Sequence, residues 1–257
     1  MIAALLLAAG PLLSRPVTVT ADHLEVLDRE RKAVYRGHAQ AVRDSTTMSC
    51  ETLTVFYNDK REVEHIEADG NVETVDADRH AWGDHAVFDN ATGVLVVHGS
   101  PRAQQGGRRV TGDEILFTTG IDRVEVKNAH TKDDATSIDA DRLVLEADRK
   151  LANWTGHVVA KKSTTTVNSP LLTAHYDEKG TVTRVEAKGG VEVRDKDRWA
   201  KGARADFDAL SGRLVVTGKP EARQGNSRMY GKSVTFVQGS DVLEVENAHS
   251  FIDVKKK

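Results

Sequence analysis

The chain has 257 residues, of which 39% are hydrophobic, 29% charged and only 5% aromatic, with a formal net charge of −3. This solvated balance excludes a membrane-embedded or disordered chain, and the few aromatics and slight acidity argue against nucleic-acid stacking platforms. A lone cysteine, Cys50, excludes an intramolecular disulfide, so the fold must rest on burial and strand pairing.

The chain opens with an apolar stretch, Ile2 to Leu13 (IAALLLAAGPLL), followed by Ser14, Arg15 and Pro16. About a dozen apolar residues are too few for a helix crossing a bilayer core of about 30 Å, and they fit the apolar region of a signal peptide over residues 1–16. Export is therefore expected. Nothing after Pro16 is apolar for long enough to form a second membrane segment.

From Val17 onward the chain states one pattern twice. Shifted by about 119 residues, Ala21-Asp22-His23-Leu24 falls on Ala140-Asp141-Arg142-Leu143, and Asn128-Ala129-His130 falls on Asn247-Ala248-His249, without a gap. Roughly two in five aligned positions are identical, which marks a duplicated unit. The copies span residues 17–130 and 136–250, joined by Thr131-Lys132-Asp133-Asp134-Ala135 and followed by a basic tail over 251–257. The first copy is about −7 in charge and the second about +2, either as two diverged solvated surfaces or as ends that attract one another between molecules.

Period-two alternation runs through both copies, as in Leu24 and Val26, then Leu53, Val55 and Tyr57, then Ile66, Ala68, Val72 and Thr74. Such alternation predicts strands with one wet face. Turn chemistry punctuates it at Asn58-Asp59-Lys60, Asp69-Gly70-Asn71, Asp89-Asn90-Ala91-Thr92-Gly93, Gly99-Ser100-Pro101 and Gln105-Gly106-Gly107. The second copy repeats it at Asp177-Glu178-Lys179-Gly180, Gly189-Gly190, Ser211-Gly212, Gly218-Lys219-Pro220 and Gln224-Gly225. No helical period follows the leader. An all-β fold with about seven to nine short antiparallel strands per copy is predicted, with the copies stacked end to end. Strand edges left open at the ends are sites either for blunting by charge, as Lys255-Lys256-Lys257 would do, or for strand addition by another protein.

Read in order, each copy runs Ala-Asp-x-Leu (21–24), aromatic-x-Gly (35–37), a strand from Leu53 to Tyr57, and Ile-Glu-Ala-x-Gly-x-Val (66–72). It continues with small-x-Gly (81–83), Ala-x-aromatic-Asp (86–89), Leu-x-Val-x-Gly-x-Pro (95–101) and Gly-x-x-Ile-x-aromatic (112–117). The second copy carries the same marks from Ala140 to Phe236. This succession resembles the OstA-like, LptA family of lipopolysaccharide transport, over nearly everything from Val17 to His249. The departure is the tandem duplication, since family members usually show one such unit.

The resemblance implies two tandem open β-jelly-rolls in the periplasm whose apolar interior shields the acyl chains of lipopolysaccharide. It also implies end-to-end joining through terminal strands, either to inner- and outer-membrane components of the transport machine or head to tail with further copies. Strand parity nominates lumen-facing residues for lipid contact. In the first copy these are Leu24, Val26, Tyr35, Leu53, Val55, Ile66, Val72, Phe88, Leu95, Val97, Ile115 and Phe117. In the second they are Leu143, Leu145, Trp154, Val158, Leu172, Val185, Val191, Phe207, Leu214, Val216, Val234 and Phe236.

No catalytic, cofactor or metal site is expected. His80 and His85 lie five apart, on opposite faces of a regular strand, and His38/His157 and His130/His249 sit beside turns or strand ends. Asp76-Ala77-Asp78 and Asp195-Lys196-Asp197 lack EF-hand spacing and are expected to be turns. Nucleophile elbows, phosphate loops and zincin motifs are absent. The expected function is binding and passage of an amphipathic glycolipid. The alternative is a structural or adhesive β-repeat that recognises a protein or glycan on its outer faces. The periplasmic domain of an outer-membrane assembly protein is less expected, as no barrel follows residue 257.

Overall fold

The computed structural model describes residues 17–43, 45–118 and 121–252; the leader and most of the basic tail lie outside them. The first eleven strands are β1 (Thr18–Thr20), β2 (His23–Leu27), β3 (Lys32–Arg43), β4 (Thr46–Tyr57), β5 (Val63–Asp76), β6 (Arg79–Asp89), β7 (Val94–His98), β8 (Arg102–Gln105), β9 (Arg108–Thr111), β10 (Glu114–Thr118) and β11 (Arg123–Lys132). The next eleven are β12 (Thr136–Glu146), β13 (Leu151–Lys162), β14 (Thr165–Tyr176), β15 (Val182–Asp195), β16 (Arg198–Asp208), β17 (Arg213–Thr217), β18 (Glu221–Gln224), β19 (Ser227–Tyr230), β20 (Ser233–Val237), β21 (Leu243–Glu246) and β22 (His249–Ile252). A 3-10 turn at Asp28–Glu30 interrupts the strands, and no α-helix occurs among the described residues. The chain divides into two compact units, one of residues up to Asp133 with Leu143–Arg149, the other of Asp134–Arg142 with residues from Lys150 onward.

The strands are longer than the turn spacing suggests: β3 and β4 have 12 residues each and β5 has 14. The motifs at 58–60, 89–93, 105–107, 177–180, 211–212 and 224–225 join strands as expected, but Asp69-Gly70-Asn71 and Gly189-Gly190 are instead interruptions within the long strands β5 and β15. Pairing breaks between Arg36 and Ala39 in β3, between Ser49 and Thr52 in β4 and between Asp69 and Val72 in β5. Strand β6 changes partner along its length, pairing with β8 before Asp84 and with β7 after it. The second unit breaks at the matching places, between Thr155 and Val158, Asn168 and Leu171, and Lys188 and Val191.

These breaks line up across neighbouring strands and form a crease that divides each sheet into two arms. The crease needs backbone in the left-handed region, which costs an ordinary residue about 1–2 kcal/mol and glycine almost nothing. Gly37, Gly70, Gly99, Gly156, Gly189 and Gly218 supply it, with φ from 75° to 94°, and His38, Asn71, Ser100, His157 and Lys219 follow in the same region. Close approach adds a second requirement. A Cβ on Gly37 would strike the Asp22 carboxylate, and one on Gly156 would strike Asp141. Those carboxylates in turn receive His38 Nδ1 at 2.7 Å and His157 Nδ1 at 2.9 Å.

Because each break offsets the alternation, one side of both arms turns inward. His80 and His85 therefore share the outer face rather than opposing ones, since Ala81 and Ala86, five apart, are both buried. Folding the arms together buries the inner faces, and each large apolar side chain so covered contributes about 1.5–3 kcal/mol. The architecture is all-β, two β-jelly-roll units.

Gly37→Ala should lower the unfolding free energy by about 3 kcal/mol or more, combining left-handed strain with the collision against Asp22. Gly106→Ala, at a left-handed turn where a Cβ meets nothing within 4 Å, should cost only about 1 kcal/mol. Urea denaturation of both variants measures the difference, and equal losses would remove the close-approach argument.

Candidate functional site

Register places the inner residues of each first arm in two apolar rows that cross the strands. In the first unit one row runs Val26, Ala33, Val55, Ile66, Phe88, Leu95, Phe117 and Val124, each residue opposite the next. The other runs Leu24, Tyr35, Leu53, Ala68, Ala86, Val97, Ile115 and Val126. The second unit repeats them as Ala152, Ala174, Val185, Phe207, Leu214, Phe236 and Leu243, and as Trp154, Leu172, Ala187, Ala205, Val216, Val234 and Val245.

Most sequence-nominated residues are buried: Leu53, Val55, Val72, Phe88, Leu95, Val97, Ile115, Phe117, Leu143, Leu145, Trp154, Val158, Leu172, Val191, Leu214, Val216, Val234 and Phe236. Tyr35, Ile66, Val185 and Phe207 are half-buried. Leu24 and Val26 differ, at 50% and 67% exposed. They share the inner face with Leu53 and Val55, but β2 is paired through β3 at the margin of its arm, and the cover over the interior stops short of it.

Sequence reasoning reached the second arm only at Val72, Val158 and Val191, beside the crease, and missed the rest. Its inner row in the first unit is Ala41, Met48, Thr74, Ala81, Ala103 and Val110, and in the second Ala160, Val167, Val193, Ala200, Ala222 and Met229. Beyond that row each second arm ends in a polar lip. In the first unit Asp76 is ion-paired with Arg79 and accepts from Ser45 Oγ at 2.7 Å. In the second Asp195 is ion-paired with Arg198 and accepts from Thr164 Oγ1 at 2.6 Å. Arg198, only 2% exposed, also donates to the Val242 carbonyl at 2.8 Å and lies 5.6 Å from the Phe236 ring centroid. Lys162 reaches the Phe207 ring at 5.5 Å. Lip side chains on the second arm of this unit thus clasp the first arm. The signal was in the sequence: the turns at 76–79 and 195–198 each read Asp-x-Asp-Arg, so the arginine recurs together with the aspartate it pairs with.

The outer faces differ between the units. In the first, histidines stand beside carboxylates: His85 Nδ1 is 2.6 Å from Asp69 and His98 Nδ1 3.6 Å from Glu114. In the second, arginines and lysines take over. Glu186 meets Lys188 at 2.7 Å, Arg184 at 3.1 Å and Arg204 at 3.2 Å, and the hydrogen bond from Lys188 is the first cause holding its carboxyl below the usual range. Asp206 is likewise held low by Arg184 and then Arg204. Depressed carboxylates contribute stability that is present at neutral pH and lost as pH falls through their folded values. Among the described residues no group of three or more His, Cys, Asp or Glu side chains is arranged to hold a metal ion, and no helix is long and apolar enough to cross a membrane.

Arg198→Met should cost about 3–5 kcal/mol, because Asp195 then faces the interior without its cation. The Asp195→Leu/Arg198→Met double variant should recover most of that loss, which a double-mutant cycle of unfolding measures. Cys50, buried at the crease, has its thiol pushed up to about 11, first by burial and then by the Asp69 charge. Iodoacetamide at pH 8 should therefore alkylate native Cys50 about a hundredfold more slowly than the urea-unfolded chain.

Comparison with known proteins follows the same two-part division. A curated relative, an uncharacterised protein of Rhizobium meliloti (strain 1021), is 24% identical over 104 residues, covering 37% of this chain and 56% of the relative. The chain thus spans about half the length of that relative. Among solved structures, the chain is similar to LptH, described as the LptA homologous periplasmic component of the conserved lipopolysaccharide transport device from Pseudomonas aeruginosa. The identity is 22%, covering 44% of this chain and 82% of that one, with a TM-score of 0.41. The family model described as LptA/(LptD N-terminal domain) LPS transport protein matches residues 18–120 and again 137–242, so the chain belongs to that family.

Proposed function

We propose that this protein binds lipopolysaccharide in the periplasm and passes it on without covalent chemistry, its acyl chains lying along the inner rows parallel to the crease. The observation that carries this reading is the continuity of those rows. In the first unit apolar side chains follow one another from strand to strand and end in Val26 and Leu24, which stand exposed where the cover stops. An acyl chain laid on that margin would extend the buried rows, each covered CH₂ contributing about 0.8 kcal/mol.

The alanines of both arms support the same reading. Ala68, Ala86, Ala187 and Ala205 in the first arms, and Ala81, Ala103, Ala200 and Ala222 in the second, leave width that bulky residues would fill. The half-buried Tyr35, Ile66, Val185 and Phe207 are the proposed first contacts for an entering chain, and the polar lips would hold the saccharide side of the molecule at the water boundary.

Terminal strands would provide the bridge. Strands β1 and β2 take β3 as their partner, while β21 and β22 take β20 and β19, so both ends of the pairing scheme offer edges for strand addition. Inner- and outer-membrane components of the transport machine, or further copies of this chain, are the proposed partners. Direction would come from an energised partner, and similar affinity from site to site would keep the cargo moving.

Protein purified from a lipopolysaccharide-producing host should carry copurifying glycolipid detectable by mass spectrometry. Ile66→Asp and Phe207→Asp, which alter half-buried positions, should each reduce lipopolysaccharide binding about tenfold while circular dichroism stays that of the folded protein. A folded wild-type protein that neither copurifies with lipid nor binds lipopolysaccharide would favour instead a β-repeat scaffold acting through its outer faces.

A further inference from the structure

The two copies differ most informatively along the outside of the crease. In the second unit an open groove of about 900 Å³ runs beside it, lined by residues that include His157, Asn168, Gly190, Glu192, Lys201 and Lys219. Its floor is a cross-strand row in which Val159 faces Asn168, Asn168 faces Glu192 and Glu192 faces Lys201. Its wall is the ridge of crease residues, ending in Lys219, whose φ of 58° lifts it from the sheet.

The first unit builds the same row and ridge from other residues and fills them. Glu51 stands where the second unit has Pro170 and accepts from Asn71 Nδ2 at 2.7 Å, and Asn71 stands where the second unit has Gly190. Trp82, at the position of Lys201, donates to Glu73 at 2.8 Å and is capped by Arg102 at 4.4 Å. In the second unit a Cβ at Gly190 meets nothing within 4 Å. Counting that exchange, three change the sign of the ridge: Glu51 to Pro170 and Asp84 to Ala203 each remove a carboxylate, and Ser100 to Lys219 adds a cation.

The carboxylates that remain near the groove are already matched. Glu221 is met by Arg223 at 2.7 Å, Lys201 at 3.1 Å and Arg228 at 3.4 Å. Glu192 is met by Arg194 at 2.7 Å. Lys219 has no ion pair among the described residues. Beside the floor, the half-buried Trp199 lies 4.8 Å below Arg223 and 5.7 Å from Lys201. The result is a shallow, cation-rimmed surface with glycine backbone, one amide and an indole.

We infer that this outer groove of the second unit is a binding site for an anionic saccharide, lying across the strands against the ridge. Cations answer its acidic groups, the Asn168 amide and Glu192 of the floor answer hydroxyls, and the Gly and Pro residues of the wall, with Trp199 beside the floor, answer the apolar faces of sugar rings. An acyl chain laid there would stay largely in water, because the groove is open along its length. The site is separate from the interior rows, and naming the cargo's own saccharide as its ligand rests on the lipopolysaccharide reading given above.

The test uses the full chain with a short fluorescent dextran sulfate oligosaccharide, an equal-length neutral dextran, and a fluorescent fatty acid as probe of the interior. Dextran sulfate should bind, weaken as salt rises, and exceed neutral dextran in affinity by about tenfold or more. Two variants should each lose about tenfold of that affinity and keep fatty-acid binding unchanged. Lys201→Gln/Lys219→Ser removes two exposed cations, and Pro170→Glu/Gly190→Asn installs the pair that fills the first unit. Displacement of the probe by lipopolysaccharide assigns the groove to the cargo's saccharide, and retention assigns it to a free anionic saccharide. Equal affinity for sulfated and neutral dextran, or unchanged affinity in both folded variants, overturns the site. Failure of the fatty acid alone would overturn the interior reading and leave the groove standing.

Discussion

Everything in this protein depends on a backbone constraint: neighbouring strands must break register at the same height, and left-handed residues are the means. A twisted antiparallel sheet of 12- to 14-residue strands would otherwise continue as one surface with a wet side and a dry side and nothing to cover the dry one. Gly37, Gly70 and Gly99 in the first unit, and Gly156, Gly189 and Gly218 in the second, let the sheet turn upon itself. The dry side of one arm then covers the dry side of the other. The hydrophobic effect drives this closure, but the crease decides where it happens and which residues end up inside.

The crease also sorts chemistry by distance from itself. Close to it, the inner face is occupied by Val, Leu, Phe and many Ala, with neither polar rows nor fixed charge. At the far end of the second arm the inner face becomes polar, with Asp76 buried beside a half-buried Arg79 in the first unit and Asp195 and Arg198 buried together in the second. Such a pair is a poor source of net stability, since desolvation of both charges offsets much of their attraction. Its position is better explained by what it does to the boundary: it marks where an apolar interior stops, and in the second unit Arg198 links that boundary to the opposite arm through the Val242 carbonyl.

How much of this was legible beforehand follows from the same constraint. Alternation in the first arms is carried by large residues such as Leu53, Val55, Leu95, Val97, Ile115 and Phe117, which parity nominates and which are buried. The second arms present Ala39, Ala41, Ala81 and Ala103 inward, and alanine alternating with polar residues gives almost no contrast. Parity counted through a crease fails outright, as with His80 and His85, because the offset is invisible unless the glycine is recognised as a break within a strand rather than an end of it. Leu24 and Val26 share the parity of Leu53 and Val55, yet they stand exposed, because their cover depends on where the covering arm ends, which no local pattern encodes.

The duplication shows which parts of the design are free to change. Between copies the inner rows of the first arms exchange one apolar residue for another, Tyr35 for Trp154 and Ile115 for Val234, while the crease keeps Gly37 as Gly156 and Gly99 as Gly218. The outer face is under no such restriction, because a side chain there meets only its cross-strand neighbours and water. Asp69 becomes Lys188, His85 becomes Arg204 and Trp82 becomes Lys201 without altering a single pairing in the register. A fold held from its inside and its hinge line can therefore carry two different electrostatic surfaces on one scaffold. It is on those outer surfaces, rather than in the shared interior, that the two copies can be told apart by anything that binds them.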